Sequence, residues 1–151
     1  MQYDPRAIQP FRDELTQIGF RELRTVEEVD KTINSQKGTN LLVINSVCGC
    51  AAGKARPGIA MALKQSPVKP DDLTTVFAGG DIEATARVRE HLGDIAPSSP
   101  SMALYKDGQV VHFIPRYQIE NRDAFQISQH LMGVFKEHCS STVPSESSPS
   151  K

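Results

Sequence analysis

An apolar run that ends in two cysteines constrains the fold of this chain most. Residues 41–44 read Leu-Leu-Val-Ile, which is typical of a strand buried on both faces of a sheet. The sequence Cys48-Gly49-Cys50 follows three residues later, and a helical pattern runs from about residue 51 to residue 65. We therefore predict a strand, a short turn that carries both thiols, and a helix.

A thiol at the start of a helix has a chemical consequence. Unpaired backbone N–H groups and the positive end of the helix dipole stabilise a thiolate, so they lower the pKa of the cysteine and raise its nucleophilic fraction. The pattern alone leaves three alternatives open: half of a metal site, a pair of buried structural thiols, or an accident of composition.

Composition restricts the number of domains, the kinds of partner and the cellular compartment that are expected for this chain. A chain of 151 residues with net charge −1 and 38% hydrophobic residues predicts one globular domain. Because there is no basic excess and no apolar run of about twenty residues, nucleic acids and membranes are not expected as partners. The N-terminus lacks a signal-peptide pattern, which predicts a cytoplasmic protein. Three cysteines in a reducing compartment favour a catalytic or metal-binding pair over a structural disulfide. No oligomeric state is predicted.

The chain is predicted to form one domain over residues 1–139, followed by a Ser/Pro-rich, disordered tail over 140–151. Two N-terminal helices come first: one with an apolar face through Leu15, which Pro10 is expected to break, and one opened by a capping box at Thr25. The later elements are strands at 41–46, 74–78, 101–106 and 109–114, and helices at 51–65, 82–92 (with Asp81 as N-cap) and 121–138.

This order matches the minimal thioredoxin-like fold: an α/β domain with a central mixed four-stranded sheet flanked by helices, here with two additional N-terminal helices. Residues 99–108, Ser-Pro-Ser-Met-Ala-Leu-Tyr-Lys-Asp-Gly, resemble the thioredoxin segment in which a cis-proline opens the third core strand. The resemblance predicts a cis Ser99–Pro100 bond, with Pro100 beside the Cys-Gly-Cys turn and shaping a groove for the thiol substrate.

A closer resemblance rests on Asn-Ser-Val-Cys-Gly-Cys-Ala at 45–51, Ala-Arg-Pro-Gly at 55–58 and the two extra helices. Over roughly residues 1–138 the chain is similar to the bacilliredoxin family. The resemblance implies an enzyme without cofactor or metal that exchanges disulfides on client proteins capped by bacillithiol or a similar small thiol. It also implies that Cys48 is the nucleophile.

The two thiols are expected to divide the reaction. Cys48, nearer the N-terminus, attacks the mixed disulfide on a client protein and takes over the small thiol. Cys50, or a second external thiol, then releases that thiol from Cys48. A disulfide between such close cysteines is expected to be strained, so isomerase-like exchange on protein disulfides is an alternative activity.

Charged residues of the following helix are candidates for substrate contact. Lys54 and Arg56 are expected to favour the thiolate or to contact carboxylates of an anionic thiol, unless they lie on an ordinary solvated helix face. Asn45 and Ser46 are expected to satisfy backbone groups around the turn.

The remaining candidates give alternatives of a different class. A zinc site would need Cys48 and Cys50 together with His138 and Cys139, although their spacing is poor for it. Cys139 is otherwise expected to be a bystander, and His112 a structural histidine. A third possibility is a non-catalytic interaction module in which the two site thiols are inert.

Overall fold

The computed structural model describes residues 3–139, so the predicted tail lies outside the described residues. Within that range the helices are α1 Pro5–Thr16, α2 Val26–Asn34, α3 Arg56–Gln65, α4 Ile82–Leu92, α5 Arg116–Glu120 and α6 Ala124–Cys139. The strands are β1 Arg21–Glu22, β2 Thr39–Asn45, β3 Asp72–Phe77, β4 Ser101–Lys106 and β5 Gln109–Ile114.

The strands form one mixed sheet in the order β1-β3-β2-β4-β5. β2 pairs in parallel with β3 and antiparallel with β4, and β4 and β5 form the predicted hairpin. This confirms the thioredoxin-like α/β arrangement, with one more strand than the predicted four. The additional strand, β1, is only two residues long and pairs with the middle of β3, so no run of apolar or alternating residues indicates it.

Helices cover both faces of the sheet. β2 is buried along its whole length, and its alternate side chains point to opposite faces. Leu41 and Val43 pack in one core with residues of α1, α3 and α6, whereas Leu42 and Ile44 pack in a second core with α2 and α4. The cysteine turn follows β2, which is the middle strand of the sheet, so it lies at the end of the central strand.

The expectation that Pro10 breaks the first helix is wrong, because α1 continues through this residue. Proline in a helix interior costs about 3 kcal/mol. Burial of Ile8 and Leu15 and capping by Asp4, whose Oδ1 accepts the Arg6 N–H at 2.9 Å, favour the continuous helix. The predicted capping box of α2 at Thr25 is confirmed.

Asp81 is at the N-cap position of α4, as predicted, but its side chain makes no capping hydrogen bond. Its carboxylate instead accepts two hydrogen bonds from Arg12, at 2.8 and 3.0 Å, and one from the Phe77 N–H at 3.0 Å. Arg12 is 4% exposed and also contacts Glu22 at 2.6 Å. A buried ion pair therefore links α1 to the start of α4.

The predicted last helix over 121–138 is confirmed as α6, which begins at Ala124, and a short helix that was not predicted, α5, precedes it. The buried face of α6 includes Ile127, Leu131 and Phe135. α3 packs closely against α6 because Gly58 has no side chain: a Cβ there would lie 2.7 Å from Ile127 Cγ2. Among residues 3–139, no helix has both the length and the apolar character needed to cross a membrane.

Candidate active site

The cysteine turn starts a helix, as predicted. Gly49 and Cys50 are helical, the next turn, Ala51–Ala55, is a π-helical segment, and α3 follows. The Cys48 carbonyl accepts N–H groups of Ala51 and Ala52 at 2.9 and 3.1 Å, which places Cys48 at the helix start. Pro57 accounts for the widened turn, since a proline lacks an N–H and its ring clashes with the carbonyl four residues earlier in a regular α-helix.

Cys48 is held as the more acidic thiol. Its Sγ accepts a hydrogen bond from the backbone N–H of Cys50 at 3.3 Å. Burial alone would raise its pKa, but hydrogen bonds from the Cys50 backbone and thiol, the positive charge of Arg116 and the Ala51 N–H outweigh burial and lower the pKa. The sulfur therefore acts as the N-cap of its own helix, which favours the thiolate.

Cys50 shows the opposite shift. Burial raises its pKa first, its hydrogen bond to Cys48 and the negative charge of Cys48 raise it further, and Arg116 partly offsets these effects. The side chain packs against the core formed with α3 and α6. The Cys50 thiol thus donates to the half-buried Cys48 sulfur, and this hydrogen bond favours the thiolate form of Cys48.

Arg116, at the start of α5, is the cation that acts on both thiols. Its backbone N–H donates to Ser98 Oγ at 3.2 Å and its Nη1 to the Ser99 carbonyl at 3.4 Å. Its Nε donates to Glu120 Oε2 at 3.2 Å. Arg116 therefore links the loop before β4 to the cysteine turn.

The Ser99–Pro100 peptide bond is cis, which confirms the prediction of its geometry. Ser101 is paired with Ile44 across β4 and β2, so Pro100 lies at the end of the sheet from which the cysteine turn emerges. The structure brings the proline segment and the thiols to the same end of the sheet. Its role in shaping a thiol groove stays a prediction.

Lys54 and Arg56 lie in different environments. Lys54 is half-exposed, and its Nζ donates to the backbone carbonyl of Glu120 at the end of α5. Its ammonium group is therefore part of the same surface as the thiols.

Arg56 is 2% exposed, which excludes the solvated helix face considered for it. Its guanidinium donates to Asn45 Oδ1 and the Ser46 carbonyl, each at 2.9 Å, and to Glu14 Oε1 at 2.8 Å. It also lies over the ring of Phe11. Because these groups surround it, Arg56 supports the loop beneath the cysteines, and its placement does not favour direct contact with a small thiol.

Asn45 and Ser46 satisfy backbone groups around the turn, as predicted. Asn45 Oδ1 accepts the Ser46 N–H at 2.8 Å, and Ser46 Oγ accepts the Cys48 N–H at 2.9 Å. Asn45 Nδ2 donates to the Phe11 carbonyl of α1 at 3.1 Å. Helix α1 therefore holds the loop through Asn45 and through Arg56.

The proposed zinc ligands are not brought together. Cys139 is 2% exposed and hydrogen-bonds to Thr39, at the beginning of β2, whereas Cys48 follows the end of that strand. Burial raises the pKa of Cys139. Within residues 3–139 no group of three or more ligand-type side chains is arranged to hold a metal ion. Cys139 and Cys48 thus lie toward opposite ends of β2.

His112 contacts a second histidine. Its Nε2 lies 2.9 Å from Nε2 of His130 on α6, and Arg122 donates to Nδ1 of His130. The pair joins β5 to α6, in agreement with the structural role predicted for His112.

Arg116 and Glu120 are the residues near the thiols that the sequence analysis did not identify. The signal was present, because Pro115 precedes a short segment whose Arg116 and Glu120 are four residues apart, a spacing typical of a helical ion pair. What the sequence could not indicate was that this short helix lies against a turn some seventy residues earlier.

Solved structures of thioredoxins share the fold of this chain. A thioredoxin of Fasciola hepatica matches with a TM-score of 0.54 and 21% identity, over 79% of this chain and 99% of the other. Mitochondrial thioredoxin 3 of Saccharomyces cerevisiae matches with a TM-score of 0.53 and 17% identity, over 82% and 98%. The chain has the thioredoxin fold, with a cysteine pair where a strand passes into a helix.

Sequence comparisons identify the family. The model of a family described as disulphide isomerase matches residues 3–139. A bacilliredoxin of Bacillus licheniformis is 50% identical over 138 residues, covering 91% of this chain and 96% of the relative. A bacilliredoxin of Salinibacter ruber is 48% identical over 152 residues, covering 100% and 89%. The chain belongs to the bacilliredoxin family, and fold and family together support a thiol–disulfide redox role.

Proposed function

We propose that this chain is a thiol–disulfide oxidoreductase that removes a bacillithiol cap, or a similar small thiol, from mixed disulfides on client proteins. Cys48 is the nucleophile and Cys50 the resolving thiol. The observation that carries the proposal is the place of Cys48 at the helix start, where its Sγ accepts the Cys50 N–H at 3.3 Å. Its carbonyl accepts the N–H groups of Ala51 and Ala52. A lowered pKa of Cys48 agrees with this placement, and Cys50, further along the helix, is positioned to resolve the adduct.

The reaction has two exchanges. The Cys48 thiolate attacks the sulfur of the small thiol in the mixed disulfide, and the client cysteine leaves as a thiolate with the electron pair of the broken bond. Cys50, once deprotonated, then attacks Cys48 Sγ, so the small thiol leaves and a Cys48–Cys50 disulfide forms. The client is reduced, the protein is oxidised, and an external reducing thiol restores it.

Positive charge near the thiols supports the choice of an anionic substrate. Arg116 and Lys54 both lie beside the cysteine turn, and carboxylates of a small thiol such as bacillithiol are suitable partners for them. Pro100, at the same end of the sheet, is proposed to line the groove for the bound disulfide. Arg56 is not assigned a substrate contact because its guanidinium is surrounded by protein.

Isomerase-like exchange on protein disulfides is the second candidate, favoured by the description of the matching family as disulphide isomerase. A single comparison separates the two activities. The protein is incubated with a client carrying one bacillithiol cap, with the same client capped by glutathione, and with a scrambled two-disulfide protein. The two capped clients are followed by intact mass, and the scrambled protein by mass spectrometry of its disulfide-linked peptides, because disulfide isomers have equal intact mass.

The proposal predicts release of the bacillithiol cap by the unmodified protein and by Cys50→Ala, and no release by Cys48→Ala. Cys139→Ala is the matched control, since this buried cysteine is distant from the site, and it is expected to behave as the unmodified protein. Equal activity of Cys48→Ala would contradict the proposed nucleophile. Activity confined to the scrambled protein would replace cap removal by isomerisation.

A further inference from the structure

We propose that Glu120 is the proton acceptor for Cys50 in the resolving step. This inference rests on the proposed function and adds a catalytic residue to the same site. Its basis is the contact between Cys50 Sγ and Glu120 Oε2, which are 4.0 Å apart, so the Cys50 thiol can donate to this carboxylate once it no longer donates to Cys48. Catalytic hydrogen bonds are often long before the substrate is bound, so this separation suits a proton transfer that occurs only in the adduct.

The groups around Cys50 explain why an acceptor is needed. In the resting protein burial raises the pKa of Cys50 most, and its hydrogen bond to Cys48 and the negative charges of Cys48 and Glu120 raise it further. Once Cys48 carries the small thiol, its negative charge is gone and its sulfur no longer serves as the anionic acceptor. Glu120 is then the carboxylate within reach of the Cys50 proton.

Glu120 is held in place from two directions. Arg116 Nε donates to its Oε2 at 3.2 Å, and Lys54 donates to its backbone carbonyl. Its side chain is 41% exposed, so a proton taken from Cys50 can pass on to water or to the departing thiol. Arg116 also lowers the pKa of Cys50, so its charge supports the thiolate that forms as the proton leaves.

The step balances as follows. The Cys50 S–H bond breaks, its proton moves to Glu120, and the electron pair stays on Cys50 sulfur. That sulfur attacks Cys48 Sγ, the bond from Cys48 to the small thiol breaks, and the small thiolate leaves with the electron pair. Protonated Glu120 returns its proton to that thiolate or to water. In this step Cys50 sulfur is oxidised to the disulfide level, the sulfur of the small thiol is reduced to a thiolate, and Cys48 stays at the disulfide level. Over both exchanges the two protein cysteines lose two electrons, and the mixed disulfide gains them, one on the client sulfur and one on the small-thiol sulfur.

The test measures the two exchanges separately with dithiobis(nitrobenzoate). This aromatic disulfide releases one coloured thionitrobenzoate at each step. The first release reports attack by Cys48, and the second reports resolution by Cys50. Rapid mixing over a range from about pH 5.5 to pH 9 is applied to the unmodified protein, Glu120→Gln and Glu27→Gln. Glu27 is an exposed glutamate on α2 and serves as the matched control. The buried thiol of Cys139 is expected to react much more slowly.

We expect Glu120→Gln to keep the first phase within about two-fold and to slow the second phase by at least roughly ten-fold at about pH 6. The difference is expected to shrink as the pH rises, because a growing fraction of Cys50 is then ionised without a proton acceptor. A Glu120→Gln second phase with the rate and pH profile of the control would overturn the assignment, as would equal slowing of both phases. Absence of the first phase in the unmodified protein would instead overturn the proposed function, and this inference with it.

Discussion

At the scale of single residues, the site depends on a difference in pKa between Cys48 and Cys50, which are separated by one residue. The difference does not come from burial, because burial raises the pKa of both. It comes from the direction of the hydrogen bonds. Backbone N–H groups at the helix start donate to Cys48 and lower its pKa, whereas Cys50 is itself a donor to Cys48, which raises the pKa of Cys50. The positive charge of Arg116 acts on this pair from outside the helix.

Replacement of Arg116 tests that contribution. In Arg116→Gln the Cys48 thiolate loses a positive neighbour, so its pKa is expected to rise and alkylation near pH 6 to slow. Because the side chain is 44% exposed and solvent screens its charge, the expected effect is only about two- to five-fold.

The measurement is the pH dependence of iodoacetamide labelling at Cys48, with Arg6→Gln as control because Arg6 is a highly exposed arginine. An unchanged profile for Arg116→Gln would show that the hydrogen bonds from Cys50 and Ala51 set the acidity of Cys48 without Arg116. A profile shifted to lower pH would contradict the proposed electrostatics.

At the scale of elements, the helix that carries the cysteines is positioned by close contact with α6. Gly58 permits this contact, because a Cβ there would lie 2.7 Å from Ile127 Cγ2 and 3.0 Å from the Ala124 carbonyl. Gly133, on α6, has no atom within 4 Å of the corresponding position. Both glycines lie in helices, but only Gly58 is closely surrounded by other residues, so Gly133 is a suitable control for a substitution at Gly58.

We expect Gly58→Ala to destabilise the fold by about 1–3 kcal/mol, since the added methyl group must displace α6. Gly133→Ala is expected to stabilise it by about 0.5–1 kcal/mol, because alanine is the better helix former and the space is open. Urea unfolding of both variants measures the two free energies. A Gly58→Ala variant as stable as the unmodified protein would mean that α3 and α6 do not approach so closely.

The short helix α5 shows what a sequence can and cannot indicate at this scale. Long elements with clear apolar faces, such as α2 and α6, could be predicted because their own residues define the buried side. α5 has five residues and one buried side chain, Ile119, so its periodicity is too short to recognise. Its importance comes from contacts with a distant turn, which no local pattern contains.

At the scale of the whole molecule, the order of strands and helices could be predicted because each apolar run and turn is local. The burial of Arg56 could not, because it depends on Glu14, Phe11 and Asn45 meeting around it. The same holds for β1, whose two residues become a strand only through pairing with β3. Long-range polar contacts are thus what the sequence left undetermined, both in the fold and at the site.

The histidine pair links β5 to α6 and predicts how stability depends on pH. Arg122 donates to His130 Nδ1, so neutral His130 carries its proton on Nε2 and donates it to His112 Nε2. Burial lowers the pKa of both histidines; His138 lowers that of His112 further, and Glu137 opposes it. For His130 the further lowering comes from Arg122 and His112.

Because the unfolded chain binds these protons more readily, the stability from this pair is complete above about pH 6.5 and falls as the pH decreases below it. The free energy of unfolding from urea titrations between about pH 5 and pH 8 is the measurement. A variant with both His112→Gln and His130→Gln is expected to show a weaker dependence in that range. The same slope in the variant and the unmodified protein would contradict this account of the pair.

The central claim is that Cys48 receives a small thiol from client proteins and that Cys50 removes it. The most direct measurement is intact and peptide mass spectrometry of Cys50→Ala recovered from its own cells under conditions that block thiol exchange. Loss of the resolving thiol is expected to leave bacillithiol, a similar small thiol or a client protein in disulfide linkage with Cys48. Cys48 recovered entirely as an unmodified thiol, or an adduct found only on Cys139, would contradict the claim.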